Sequence, residues 1–152
     1  MKSVAKSTPT APSNAVRLVA DTNTVISGLL WGGTPGRLMD LAVQGRIKFV
    51  TSLPLLAELE GVLARDKFSA QLAKRGLSVA DVFDGYVALV ETVAPAQIAP
   101  TITRDPADDQ VLAAALAGKV DLIVSGDAHL LDLKLFRGIE IVTTAAALEI
   151  IA

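Results

Sequence analysis

Four short, mostly apolar runs govern how this chain can fold: Val16–Ala20 (VRLVA), Ile47–Val50 (IKFV), Asp121–Val124 (DLIV) and Ile139–Val142 (IEIV). Each has the length of a buried strand and is too short for an ordinary helix. Helical marks fill the gaps between them. A helix is expected over Thr24–Leu30, stopping at WGGTPG. In TPGRLMDLAVQGR, Thr34 suits an N-cap, Pro35 the first helical position and Gly45 the C-terminal stop. Over Leu53–Arg65, the residues Leu55, Leu56, Leu59, Val62 and Leu63 make one stripe. SVADVFDGYVALVETV reads as a helix capped by Ser78, and IAPTITRDPADDQ as a loop. Asp108–Ala117 reads as a helix ending at Gly118, SGDAH as a turn, and a short helix closes the chain. Strands alternating with helices predict an α/β fold whose sheet is parallel and covered on both faces. Such sheets take their ligands beyond the carboxyl ends of the strands.

The 152 residues, 51% of them hydrophobic, suit one compact domain with a sizeable core. With 20% charged residues and a net charge of −2, the chain is ordinary for a globular protein. It has no cysteine, which excludes disulfides and thiolate metal sites. No apolar run is long enough to span a bilayer. The opening MKSVAKSTPTAPSNA has no apolar stretch after its lysines, so it does not read as a secretory signal. Residues 1–15 are therefore expected to be a flexible leader, residues 16–152 the domain, and the protein cytoplasmic with no membrane association. The near-neutral balance lacks the basic excess of most nucleic-acid binders.

Carboxylates gather near the predicted ligand rim. Asp21 follows the first strand at once, and Asp127 lies just past DLIV. Asp105, Asp108 and Asp109 cluster before the alanine-rich helix, and Glu58 and Glu60 flank the leucine stripe. Each glutamate lies about 100° from the stripe centre on a helical wheel, so geometry does not choose between them. Two carboxylates ~5 Å apart repel by roughly 3 kcal/mol at an effective dielectric near 20. A convergent set needs a proton or a cation. Oxygen ligands with no cysteine and a single histidine point to Mg²⁺ or Mn²⁺. Such an ion activates water, steadies phosphoryl charge and bridges an acidic site to a phosphodiester. Plainer readings exist for single residues. Asp108 suits an N-cap, Asp127 a turn, His129 the surface and Trp31 loop packing. The GGTPG stretch lacks the lysine of a phosphate loop.

Taken in order, LVADTNTVISGLL, VTSLPLLAELEGVLARDKF, RDPADDQVLAAALAGKVDLIVSGDAHLLDL and GIEIVTTAAALE resemble a PIN domain. The likeness is nearest to the VapC-like branch of toxin–antitoxin toxins and runs from about Arg17 to Glu149. It implies a three-layer Rossmann-like α/β fold with a mostly parallel sheet flanked by helices. It also implies a metal-dependent endoribonuclease cutting single-stranded RNA with one or two Mg²⁺ or Mn²⁺ ions. Carried over residue by residue, the catalytic acids are Asp21, Glu58, Asp109 and Asp127. The metal ligands are Asp21, Asp109 and Asp127, with Asp108 a close neighbour. Thr22, Asn23 and Ser125 fall where supporting polar residues stand. Ala107 departs from the pattern at a position where many relatives carry another acid. Arg37, Arg46, Arg104 and Lys134 are the basic residues proposed for RNA. The likeness further implies a cognate antitoxin as partner and a homodimer.

Two rivals remain at this level. DTNTV and GDAHLLD faintly resemble the nucleophile loop and later metal motif of haloacid-dehalogenase-type phosphatases, with Asp21, Asp127 and Asp132. Asn23 stands where that family needs its general acid. The other rival is a binding module of the same fold without activity, which the presence of all four acids opposes.

Overall fold

A computed structural model describes residues 15–101 and 106–151. Arg104, Asp105 and nearly all of the expected leader lie outside the described residues. In chain order the elements are β1 (Val16–Ala20), α1 (Thr22–Leu30), α2 (Gly33–Val43), β2 (Ile47–Thr51), α3 (Leu53–Leu63), α4 (Asp66–Lys74) and α5 (Val79–Val87). They continue with β3 (Val90–Thr92), α6 (Pro106–Gly118), β4 (Leu122–Val124), α7 (Ala128–Leu133), β5 (Leu135–Phe136), β6 (Ile139–Val142) and α8 (Thr144–Ile151). The strands form one sheet in the order β3-β2-β1-β4-β6-β5. All pairings are parallel except β5 with β6. The architecture is the expected three-layer α/β arrangement.

The period of two along each strand sorts the core into two layers. Leu18 and Ala20 face one layer with Val25, Ile26, Leu38, Leu56 and Leu59. Val19, Val50 and Ile123 face the other, with Val111, Leu112 and Leu130. Leu18 pairs with Phe49 of β2 on one side and Leu122 of β4 on the other. A one-residue slip of β1 would exchange its two faces. The chain builds outward from β1 through β2 to β3, then returns to the other side of β1 as β4. The β1/β4 seam is therefore the switch point of the sheet, where open α/β sheets leave a crevice.

Both ends of that seam are pinned. At its amino end, Arg17 makes a two-pronged ion pair with Glu91 at 2.8 and 3.1 Å and donates to the Gly118 carbonyl at 2.9 Å. Its hydrogen bond to Glu91 raises the Arg17 pKa. The same bond, with the attraction of the guanidinium, holds Glu91 below the ordinary glutamate range. Gly118 itself sits against β2: a Cβ there would lie 2.6 Å from Cγ1 of Val50. At the carboxyl end, the Asp21 N–H donates to the Val124 carbonyl at 3.1 Å, and the Ser125 N–H to the Val142 carbonyl at 3.0 Å.

Several elements differ from the sequence expectation. α1 begins two residues early because Asp21 caps it. α2 is capped by Gly32 (φ 73, ψ −134) rather than Thr34, and no side chain bonds its first turn; that backbone region is open chiefly to glycine. The stripe helix stops at Leu63, since Arg65 turns extended (φ −63, ψ 144) and starts the unforeseen α4. The Ser78 cap is present as a full capping box with Asp81, but Val90–Thr92 leaves the helix to pair with β2. There, sheet pairing outweighs local helical preference. The expected turn SGDAH runs on into α7, and β5 is a strand that the sequence pattern does not mark. Among the described residues no helix is long and apolar enough to cross a membrane.

Candidate active site

A cleft of about 210 Å³ opens at the carboxyl end of the β1/β4 seam. It is lined by Asp21, Thr22, Asn23, Glu58, Val62, Arg65, Ala107, Asp108, Val111 and Asp127. Four carboxylates thus come together from α1, α3, α6 and the β4–α7 turn.

Asp21 is only 7% exposed. As N-cap of α1, its Oδ1 accepts the Thr24 N–H at 2.9 Å. Its Oδ2 accepts the Ser125 hydroxyl at 2.5 Å. Two hydrogen bonds to a charged acceptor offset much of the cost of burial. Ser125 is fully buried, and its oxygen also accepts the Asp127 N–H at 2.9 Å. Asp127 caps α7: its Oδ1 accepts the His129 and Leu130 N–H groups at 2.7 and 3.4 Å. One serine hydroxyl therefore fixes both the Asp21 carboxylate and the backbone that carries Asp127.

Glu58 and Glu60 separate cleanly. Glu58 is half-buried, lines the cleft and accepts the Thr22 hydroxyl. Glu60 is exposed and is not among the lining residues. Asn23 lines the cleft from the first turn of α1.

The aspartate pair needs a correction of placement. Asp109, expected as the third acid, does not line this cleft. It faces a neighbouring groove with Pro95, Ile98 and Pro106, and both its carboxylate oxygens accept the Thr101 N–H at 3.2 Å. Asp108, expected only as its neighbour, is 6% exposed and lines the acidic cleft. Neighbouring residues on a helix point about 100° apart, so only one of the two can face the seam. Nor is Asp108 an N-cap, because α6 already begins at Pro106.

The basic residues are also placed differently from expectation. Arg37 and Arg46 line a separate groove of about 290 Å³ against α8. Lys134 is exposed at the end of α7 and is not a lining residue of the cleft. The guanidinium in the cleft belongs to Arg65, which sequence reading missed. Its signal was present. On the helix expected over Leu53–Arg65, Glu58, Val62 and Arg65 stand at i, i+4 and i+7 along one face, although α3 itself ends at Leu63 and Arg65 is extended. His129 was read as a surface residue and is exposed, yet it also adjoins the acids. Asp108, Asp127 and His129 each offer a ligand atom within 4.8 Å of the others. Trp31 is 53% exposed rather than packed, with Arg75 over its ring at 5.9 Å. Asp132, which a phosphatase site would need beside Asp127, is exposed and absent from the lining.

The donor set fits a hard divalent cation. It is made of carboxylate oxygens with one imidazole, and Asp108 and Asp127 stand within 4.8 Å, close enough for like-charge repulsion to favour an ion between them.

Comparison with known families agrees with this geometry. The family model described as "PIN domain" matches residues 17–129, well over half of the chain. No curated protein matches it.

Proposed function

The chain belongs to the PIN-domain family, whose members are nucleases, and we propose that it is a metal-dependent endoribonuclease acting on single-stranded RNA. The observation that carries the reading is the convergence of Asp21, Glu58, Asp108 and Asp127 on one cleft at the switch point of the sheet. Asp21, Asp108 and Asp127 would hold one or two Mg²⁺ or Mn²⁺ ions, with Asp108 taking the part first expected of Asp109. Such an ion, when bound, would supply an activated water and stabilise charge on the phosphoryl oxygens.

The chain's own residues do the rest. Ser125 keeps Asp21 aimed into the cleft and holds the Asp127 backbone beside it. Thr22 donates to Oε1 of Glu58. Glu58, so oriented, would hold a metal through water or take a proton from the attacking water. Asn23, on the rim, offers an amide to the strand. Bases splayed from a single strand reach a narrow cleft that a stacked duplex does not.

The same proposal assigns the protein the toxin role of a toxin–antitoxin pair. It includes a cognate antitoxin protein, a homodimer and a cytoplasmic location. These rest on the sequence resemblance alone.

A nuclease assay tests the central reading. Random-sequence RNA is incubated with the protein in Mg²⁺, in Mn²⁺ and in EDTA, beside Asp21→Asn. Cleavage is expected only with the ions and only with the parent chain. Equal cleavage by Asp21→Asn, or cleavage that survives EDTA, would refute it.

A further inference from the structure

We propose that Arg65 binds the RNA backbone in the acidic cleft, gripping a phosphate through its guanidinium while the acids hold the cation. This rests on the ribonuclease reading above and adds to it a residue outside the four acids.

The placement comes from a break in the chain. α3 lays Glu58 and Val62 along one wall and ends at Leu63. Arg65 follows in extended conformation (φ −63, ψ 144) as the residue before α4, and its side chain makes no capping bond there. It lines the same cleft as Glu58. A guanidinium meant to neutralise these acids would be paired with one of them. Among the described residues, the ion pair within 4.0 Å is Arg17 with Glu91; His129 Nδ1 also stands 3.7 Å from Oδ1 of Asp127, and neither contact involves Arg65. Arg65 is also exposed, so its head group remains free to meet a ligand entering from solvent.

The chemistry then selects the ligand. A cleft with four carboxylates repels a phosphodiester, and a bound cation reverses that on one side only. A second positive group on the cleft lining holds the strand at another point. Arginine suits this task because its planar fork offers two parallel N–H donors to two phosphate oxygens. The contact is with backbone, so it tightens binding without selecting sequence.

The test separates phosphate binding from scaffolding by opposite responses. Steady-state cleavage of a random-sequence single-stranded RNA is measured for the parent, Arg65→Ala and Arg65→Lys in Mn²⁺. Mn²⁺ affinity without RNA is measured by electron paramagnetic resonance. Arg65→Ala is expected to raise KM about tenfold. Its dependence of log kcat/KM on log salt should be shallower by about 0.7, one phosphate contact on a single strand. Its Mn²⁺ affinity should stay the same or tighten, since a nearby positive charge has gone. Arg65→Lys should fall between, keeping the charge and losing the fork. An unchanged KM overturns the inference. So does a joint loss of RNA and Mn²⁺ affinity, which would mark a scaffold residue. A parent chain that fails to cleave in either ion overturns the ribonuclease reading itself, and this inference with it.

Discussion

Ser125 donates its hydroxyl hydrogen to Oδ2 of Asp21 at 2.5 Å, across the seam between β1 and β4. The two residues are 104 positions apart in sequence, and both are buried. Replacing Ser125 with alanine strands a buried carboxylate oxygen and the Asp127 N–H at once. Ser125→Ala is expected to cost about 1–3 kcal/mol of stability. It should also weaken divalent-ion affinity by roughly 10- to 100-fold, as removing an orienting partner of a metal ligand does. Calorimetry and a Mn²⁺ titration measure the two effects separately.

Asp108 and Asp109 are neighbours in sequence with opposite prospects. Asp108→Asn should lower metal-dependent RNA cleavage by at least about 100-fold, because it removes a charged donor from the cleft. Asp109→Asn should leave cleavage within a few-fold of the parent and trim stability by about 1 kcal/mol through its contact with Thr101. The reverse ranking in a cleavage assay would return the third acid to Asp109.

His129 offers a nitrogen where the other donors are oxygens. Imidazole is a common partner of Mn²⁺, whereas Mg²⁺ prefers oxygen ligands and water. His129→Ala should therefore weaken Mn²⁺ binding roughly tenfold and leave Mg²⁺ binding nearly unchanged. Competitive titration of the two ions would show it.

The Arg17–Glu91 pair predicts a modest acid sensitivity. Glu91 is held below its ordinary pKa by the Arg17 hydrogen bond first and by guanidinium charge second, with burial opposing both. A depressed carboxylate pKa adds stability above the unfolded-state value and loses it as pH falls through the folded value. The side chains are 33% and 42% exposed, so solvent screening keeps the contribution below about 1 kcal/mol. Glu91→Gln should lower the melting temperature by a few degrees at neutral pH. The gap from the parent should close as pH drops below roughly 4.

Gly118 has no room for a side chain. With a Cβ placed 2.6 Å from Cγ1 of Val50, a stiff branched residue in a central strand, Gly118→Ala forces a backbone shift. The expected cost is about 1–3 kcal/mol, read from a denaturant midpoint at unchanged slope.

Much of the architecture was legible because buried parallel strands carry a strong local signal. Val16–Ala20 and Ile139–Val142 coincide with β1 and β6, and Ser78 caps α5 as read. β3 and β5 were hidden. They are edge strands of three and two residues, formed by pairing with distant partners rather than by their own pattern. At the site, Asp21 was legible from its abrupt place after a strand. Glu58 was separated from Glu60 by resemblance, not by geometry. The order of Asp108 and Asp109 was not legible, because which of two neighbours on α6 faces the seam is decided by how that helix packs on the sheet, not by its own pattern. Arg65 carries a local mark in its spacing from Glu58 and Val62, whereas His129 joins Asp108 through packing between elements, which no single segment shows.

The order in which β4 joins the sheet has one more consequence. Asp21 and Glu58 are made early in synthesis, Asp108 and Asp127 late, and β4 must dock on the free edge of β1 before β6 can add beyond it. A nascent chain that has left the ribosome only as far as β3 carries two acids on an open edge and no cleft. The four acids can share one cleft only once β4 and the turn behind it have been made.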